Sequence, residues 1–131
     1  MKAYHSDTYA SPLPGRYRFN LSGYALLRQA VIDAEIAPPP ELSTPDPASD
    51  EQILRAHDAG YLRRVVSGEL TLKETRRIGL PWSRELVVRA RYSAGGTIAA
   101  CRAALQDGIA VNLAGGTHHA FRDHGQGYCL F

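Results

Sequence analysis

Apolar residues recur at helical spacing in several parts of the chain and form one short continuous run near its end. The spacing predicts helices from Ser22 to about Ile36 and from about Arg84 to Gln106. The run Ile109–Leu113 is nearly all apolar, which is typical of a strand buried on both faces of a parallel sheet. A first short strand is predicted over Lys2–His5. This order of strand, helices, long helix and buried strand predicts an α/β fold.

Caps and helix-breaking residues divide the middle of the chain. Pro38–Pro40 ends the first long helix because proline cannot continue the hydrogen-bond ladder, and Leu42–Pro47 reads as a linker. The segment Ser49–Gln52 is a capping box that opens a further helix. Gly60 predicts a break in that helix, followed by a second short helix over Tyr61–Val66.

The long helix has a predicted N-cap at Ser83, and one or two helical turns are predicted before it over Leu70–Arg77. Within it, each glycine of the pair Gly95–Gly96 costs about 1 kcal/mol relative to alanine. We therefore expect the pair to serve close packing against another element. The residues predicted to form its buried stripe are Leu86, Ala90, Ala94, Thr97, Ile98, Cys101 and Leu105.

Composition narrows the function classes. The length of 131 residues fits one domain or a large piece of one, and a net charge of +2 is too small to indicate nucleic acid or an anionic membrane as a partner. No stretch approaches the length of a membrane helix, and the start has no apolar core suited to a signal peptide. Cys101 and Cys129 are expected to be reduced thiols, which suggests a cytoplasmic protein.

The chemistry is concentrated in the glycine-rich segment that follows the apolar run. His118 and His119 are adjacent there, and histidine can donate or accept a proton near neutral pH. Such a pair by itself is more often two surface histidines than a catalytic pair. Asp123, His124 and Cys129 have ligand types that suit zinc, although their spacing matches no structural zinc motif and Cys129 fits better as a buried wall residue.

His57 and Tyr61 are predicted to share a helical face, where a half-buried, hydrogen-bonded histidine is the expected role.

The segment from Asn112 to Phe131, NLAGGTHHAFRDHGQGYCLF, resembles the active-site segment of the histone deacetylase superfamily. It matches that family's glycine-glycine-x-His-His-Ala motif and the Gly-(Phe/Tyr)-Cys that follows. The start, YHSDTYASPLPGRYRF, and most of residues 50–105 also resemble bacterial members, which are histone-deacetylase-like and acetoin-utilisation-like proteins. The resemblance implies the arginase/deacetylase fold, a parallel sheet flanked by helices. It also implies a zinc hydrolase that removes acetyl or similar acyl groups from acetyl-lysine or an acetylpolyamine.

The resemblance implies roles for four residues. His118 and His119 would be general acid and base beside a zinc-bound water, with His119 as the base. Gly127 and Tyr128 would bind substrate: the Gly127 carbonyl would accept the amide hydrogen, and the Tyr128 ring would pack on the aliphatic stem. Departures from the family pattern occur at Tyr17, Asn20, Arg122, His124 and Gln126.

The family's zinc ligands, an Asp-x-His pair and a further Asp, lie downstream of the segment that ends at Phe131, and this chain has no Asp-x-His. We therefore expect residues 1–131 to be the N-terminal portion of a single deacetylase-like domain, without metal ligands and inactive alone. Self-association or a complementing C-terminal half is expected.

Two alternatives remain open. One is a truncated, non-catalytic protein that acts by binding or assembly, and the other is a small metal-binding module using His118, His119, Asp123 and His124.

Overall fold

The computed structural model describes residues 1–6, 22–38, 40–116 and 118–131. Tyr17 and Asn20 lie outside these residues. The described elements, in chain order, are β1 (Lys2–Tyr4), α1 (Ser22–Asp33), β2 (Leu42–Ser43), α2 (Asp50–Leu54), α3 (Ala59–Ser67), α4 (Leu72–Ile78), α5 (Arg84–Asp107) and β3 (Ala110–Asn112).

The three strands form a parallel sheet in the order β2-β1-β3, which confirms the predicted α/β fold. Ala3 of the central strand is in register with Leu42 on one side and with Val111 on the other. The prediction that Leu42–Pro47 is only a linker was wrong. Its first two residues form β2, where the Ala3 amide donates to the Glu41 carbonyl at 2.9 Å. Two residues are too few to show a periodicity.

Helices cover both faces of the sheet. Ala3 and Val111 lie on one face and pack with Val31 of α1, while Asn112 lies on the other face against α5. The three residues of β3 are only partly buried, whereas the sequence predicted a strand buried on both faces. The difference follows from the position of β3 at the edge of the described sheet, where it has one neighbouring strand.

The glycine pair in α5 serves close packing, as predicted. A Cβ atom on Gly95 would lie 2.0 Å from the Asp46 carbonyl oxygen and 2.9 Å from the Ala48 nitrogen. A Cβ atom on Gly96 would lie 2.8 to 2.9 Å from the side chain of Asn112. The two glycines therefore bring α5 directly against the chain before α2 and against β3.

A second core lies below the carboxyl-terminal segment, between α3, the end of α4 and the first turns of α5. Two aromatic side chains in this core donate hydrogen bonds to backbone carbonyls of neighbouring segments. The Tyr61 hydroxyl donates to the Leu130 carbonyl at 2.8 Å, and the Trp82 indole N–H donates to the Val65 carbonyl at 2.7 Å. Its buried members are Tyr61, Val65, Ile78, Leu80, Leu86, Val87 and Leu130.

The helix boundaries correct the sequence analysis in two places. The helix opened by the capping box ends at Leu54, and α3 begins after Asp58, so Gly60 lies inside a helix and not at the break. Helix α1 ends at Asp33 and not at Ile36, because Glu35 has a left-handed backbone conformation with φ 53°.

Two further helices were predicted with errors of detail. The turns predicted over Leu70–Arg77 form α4, which begins at a capping box between Thr71 and Glu74 that the sequence analysis missed. The predicted stripe of α5 was partly wrong, since Thr97, Cys101 and Leu105 are exposed. The residues buried in this half of the helix include Gly96, Ala100 and Ala103, and Gly96 packs against Asn112 of β3. Within the described ranges, no helix combines the length and the apolar character needed to cross a membrane.

Candidate functional site

The carboxyl end of β3 is fixed to α5 by side-chain hydrogen bonds. The Asn112 amide donates to the Ser93 carbonyl at 3.0 Å and to the Thr97 hydroxyl at 3.1 Å, and its oxygen accepts from the Ala114 amide at 3.1 Å. The Ser93 hydroxyl in turn donates to the Ala114 carbonyl at 2.7 Å. The loop that carries the two histidines therefore starts from a defined point at the carboxyl end of a parallel strand, where α/β folds commonly bind ligands.

The loop brings the rings of His118 and His119 together. Their centroids lie 4.8 Å apart with an interplanar angle of 42°, and both side chains are exposed. His118 has a positive φ of 56°, an uncommon conformation for a residue other than glycine. The backbone of this turn allows two successive side chains to lie on the same side, which an extended strand would not.

A tight turn places Gly127 against His119. Gln126 and Cys129 form an antiparallel bridge, and the two residues between them, Gly127 and Tyr128, have φ values of 53° and 69°. A Cβ atom on residue 127 would lie 2.8 Å from Cδ2 of His119, so the imidazole packs on the bare Cα. Three of the four predicted site residues are thus adjacent.

The fourth, Tyr128, is held at the end of α4. The amides of Gly127 and Tyr128 donate to the carbonyls of Arg77 and Ile78 at 3.2 and 2.7 Å, so the turn satisfies backbone groups that a helix end leaves without partners. The Tyr128 ring lies on Gly79, where a Cβ atom would be 3.1 Å from Cε1. Gly79 was not predicted as part of the site, and its signal in the sequence is a glycine two residues after the predicted helix.

Buried residues pack against the end of the loop near Gly125. A Cβ atom on Gly125 would lie 2.6 Å from the Cys129 carbonyl oxygen and 2.7 Å from the Tyr61 hydroxyl, so only glycine fits. Burial raises the pKa of Tyr61 and the Glu74 charge adds to this, while Arg64 lowers it; the net effect is a raised pKa and a neutral hydroxyl donor. Cys129 is buried, as predicted for a wall residue.

The remaining candidates have local partners. His57 is buried and its Nδ1 lies 2.9 Å from the Phe121 carbonyl oxygen, which confirms the predicted hydrogen bond. The predicted helical face shared with Tyr61 was wrong, because His57 lies in the turn between α2 and α3. Nδ1 of His124 lies 2.6 Å from the Asp123 carboxylate, and this contact lowers the pKa of Asp123. Among the described residues, no three His, Cys, Asp or Glu side chains are grouped so that they could bind a metal ion. The geometry therefore gives no support to the metal-binding module.

An open, mainly apolar cleft of about 440 Å³ lies beside the histidine pair. His118 forms part of its wall, together with Ile53 of α2, Ala94 and Ile98 of α5, and Phe131.

The sequence profile for the histone deacetylase domain matches residues 17–131 of this chain. An uncharacterised protein of Picosynechococcus sp. strain PCC 7002 is 38% identical over 127 residues, which cover 97% of this chain and 42% of that protein. The histone deacetylase-like amidohydrolase of Pseudomonas aeruginosa is 37% identical over 99 residues, 70% of this chain and 25% of that protein. The acetoin utilization protein AcuC of Bacillus subtilis is 30% identical over 101 residues, covering 70% of this chain and 26% of that protein.

Two solved structures share the fold. The crystal structure of a histone deacetylase homologue complexed with SAHA superposes with a TM-score of 0.78 at 23% identity, over 99% of this chain and 38% of that chain. A histone deacetylase homologue from Aquifex aeolicus gives a TM-score of 0.72 at the same identity and coverage. The chain thus spans about two fifths of the length of the Picosynechococcus relative and of both structures.

Proposed function

The chain belongs to the histone deacetylase family, and on this premise we propose that it supplies the proton-transfer pair and part of the acyl-binding surface of a zinc-dependent deacetylase. The substrate class is an acylated amine, such as acetyl-lysine or an acetylpolyamine. The observation that carries the proposal is the pairing of the His118 and His119 rings at 4.8 Å, with Gly127 packed against the second ring.

His119 is the proposed general base and His118 the proposed general acid. Hydrolysis of an amide requires a proton to be removed from water and another to be given to the leaving amine, and imidazole does both near neutral pH. Both side chains are exposed, so water and substrate can reach them. The contact between the His119 ring and Gly127 restricts the position of the base.

Gly127 and Tyr128 are the proposed substrate-binding residues. The Gly127 carbonyl would accept the amide hydrogen of the substrate, and the partly exposed Tyr128 ring would pack on its aliphatic stem. The geometry supports these roles because both residues have a left-handed backbone and both amides are bonded to the end of α4. A fixed turn of this kind keeps its orientation when a substrate binds.

Zinc would activate the attacking water, but the residues that the structure describes do not form a site for it. We propose that the ligands lie outside this chain, and that residues 1–131 are the N-terminal portion of a domain completed by a C-terminal half. The coverage of about two fifths of longer relatives supports this. The proposed location is the cytoplasm.

The experiment combines the chain with a separately produced polypeptide corresponding to the remainder of the Picosynechococcus relative, and measures hydrolysis of an acetyl-lysine peptide with added zinc. The chain alone should show no turnover above a zinc-only control and no tightly bound zinc. Turnover should appear in the mixture, and His118→Ala and His119→Ala should each lower it by about 10²- to 10⁴-fold with unchanged zinc content.

Two results would contradict the proposal. One tightly held zinc ion per isolated chain would favour the metal-binding module. Full turnover after either histidine substitution would remove the assignment of general acid and base.

A further inference from the structure

The turn between α2 and α3 is bonded to the loop just after the histidine pair. Nδ1 of His57 lies 2.9 Å from the Phe121 carbonyl oxygen, and the Asp58 amide donates to the Arg122 carbonyl at 2.9 Å. Nε of Arg122 donates back to the Asp58 carboxylate at 2.6 Å. Two adjacent residues therefore bind two adjacent residues 64 positions away in the chain.

Asp58 uses its carboxylate for this contact and not for its own helix. It is the N-cap residue of α3, with extended backbone angles of φ −73° and ψ 142°. Aspartate at this position commonly accepts a hydrogen bond from the first turn of the helix, yet Asp58 makes no such side-chain bond. The carboxylate instead holds Arg122, one of the residues at which this loop departs from the family pattern.

His57 contributes a donor from a buried position. Its ring packs between Tyr61 and Phe131, with a centroid distance of 5.7 Å to each. A carbonyl oxygen only accepts, so Nδ1 of His57 carries the hydrogen in this contact. The packing of the ring fixes the direction of that donor.

The loop that connects the histidine pair to Phe121 and Arg122 is short and contains its own hydrogen bond. The Phe121 amide donates to the His124 carbonyl at 2.8 Å, and the two rings stack with centroids 4.5 Å apart. Only Ala120 separates His119 from Phe121. His119 is therefore fixed by Gly127 on one side and by the bonds of Phe121 and Arg122 on the other.

We propose that His57 and Asp58 are positioning residues that set the orientation of the histidine pair through the backbone of Phe121 and Arg122. The catalytic consequence rests on the proposed function, whereas the effect on the loop does not.

The first test uses NMR on the chain as it is, with hydrogen exchange and cross-peaks between the two histidine rings as readouts. His57→Leu and Arg122→Gln should speed exchange of the Asp58 and Phe121 amides about tenfold or more and weaken the cross-peaks, while amides inside α5 keep their rates. His57→Asn retains a side-chain N–H and should restore most of the wild-type pattern.

The matched control is Arg55→Gln, which breaks the exposed ion pair between Arg55 and Glu51 in the same turn without touching the loop. It should leave both readouts unchanged. Arg122 is exposed, so its substitution does not threaten folding even if His57→Leu does. Loop exchange that stays at the wild-type rate in Arg122→Gln, or an acceleration in Arg122→Gln that is equally large throughout α5, would overturn the proposal.

The second test measures kinetics in the mixture with the complementing polypeptide. Displacement of a reacting group by about 1 Å can cost up to about 100-fold in rate. His57→Leu should therefore lower kcat by about tenfold or more with little change in KM, and His57→Asn should recover it. Faster loop exchange in His57→Leu with an unchanged kcat would refute the catalytic consequence and leave the effect on the loop in place. Absence of turnover in the wild-type mixture would instead refute the proposed function and leave the loop result standing.

Discussion

At the scale of single residues, the contact of Gly127 with His119 gives a direct test of the site geometry. Gly127→Ala places a methyl group 2.8 to 3.0 Å from side-chain atoms of His119 at a φ of 53°. The left-handed conformation costs alanine roughly 1–2 kcal/mol, and the contact adds to this. We expect the free energy of unfolding to fall by about 2–3 kcal/mol and the His119 ring resonances to shift.

Gly108→Ala is the matched control for that change. Its φ is 82°, and a Cβ atom there would have no heavy atom within 4 Å, so alanine there has the cost of a positive φ without a side-chain contact. Denaturant unfolding of both variants separates the cost of the backbone conformation from the cost of the contact with His119. His119 resonances that stay in place in Gly127→Ala would contradict the packing of this ring on Gly127.

Glu74 couples the first turn of α4 to Arg64 of α3. Burial raises the pKa of this carboxyl group, but hydrogen bonds from the Thr71 backbone, Arg64 and the Thr71 hydroxyl lower it by more, and the net pKa is about 2 against an ordinary 4.5. The Arg64 guanidinium lies 2.8 Å from the carboxylate. Because the folded pKa is below the unfolded one, the carboxylate stabilises the fold above pH 4.5, and this contribution is lost as pH falls toward 2.

We therefore predict a pH-dependent difference between the wild type and Glu74→Gln. The difference in unfolding free energy should be largest and constant above about pH 5.5 and should shrink steadily as the pH is lowered through 4.5 toward 2. Urea unfolding at a series of pH values measures it. A difference that grows on acidification would show that Glu74 is not held as a carboxylate in the folded protein.

The residues of the site were predictable from the sequence, but not all of the contacts that hold them. The motif around His118 and His119 is visible in the sequence, and the structure places both rings beside Gly127. The support of Tyr128 by Gly79 was not predictable in the same way. It depends on where α4 ends relative to a turn that lies almost fifty residues later in the chain.

At the scale of elements, the approach of α5 to the chain before α2 depends on Gly95. A methyl group there would meet the Asp46 carbonyl oxygen at 2.0 Å, and a backbone atom cannot rotate away as a side chain can. Gly95→Ala should lower the free energy of unfolding by about 3 kcal/mol, at the upper end of the usual cost of overpacking. Denaturant unfolding of the purified variant measures this.

Gly60→Ala is the control within a helix. A Cβ atom there would contact only Arg64, at 3.8 Å, so alanine should be neutral or gain up to about 1 kcal/mol from its helix propensity. If Gly95→Ala were as stable as Gly60→Ala, α5 would have to move away from residues 46–48 at little cost.

The predictability of an element depended on how many residues signal it. Helix α5 has 24 residues with an N-cap at Ser83. Its first residue was predicted correctly, and its last residue was predicted one position too early. Its buried face was not predicted correctly, because the small residues Ala100 and Ala103 are buried whereas the larger Leu105 is exposed. Strand β2 has two residues and was missed, since its only signal is pairing with a partner almost forty residues away.

At the scale of the whole molecule, the described sheet is small and leaves apolar residues uncovered. Strand β3 lies at its edge with one neighbouring strand. Leu105, in the last turn of α5, and Ile109, directly before β3, are 90% and 60% exposed. The cleft beside His118 is also mainly apolar and open. Exposed strand edges and contiguous apolar surface favour association with another polypeptide.

We therefore predict that the purified chain forms a dimer or higher oligomer, or is stable only with a complementing half. Sedimentation velocity over a range of concentrations measures the assembly. Ile109→Lys places a charge beside the edge of β3 and should shift the chain toward the monomer, whereas Leu72→Lys, at an exposed position in α4, should not. A concentration-independent wild-type monomer with cooperative thermal unfolding would contradict this, because it would mean that residues 1–131 bury enough apolar surface to fold alone.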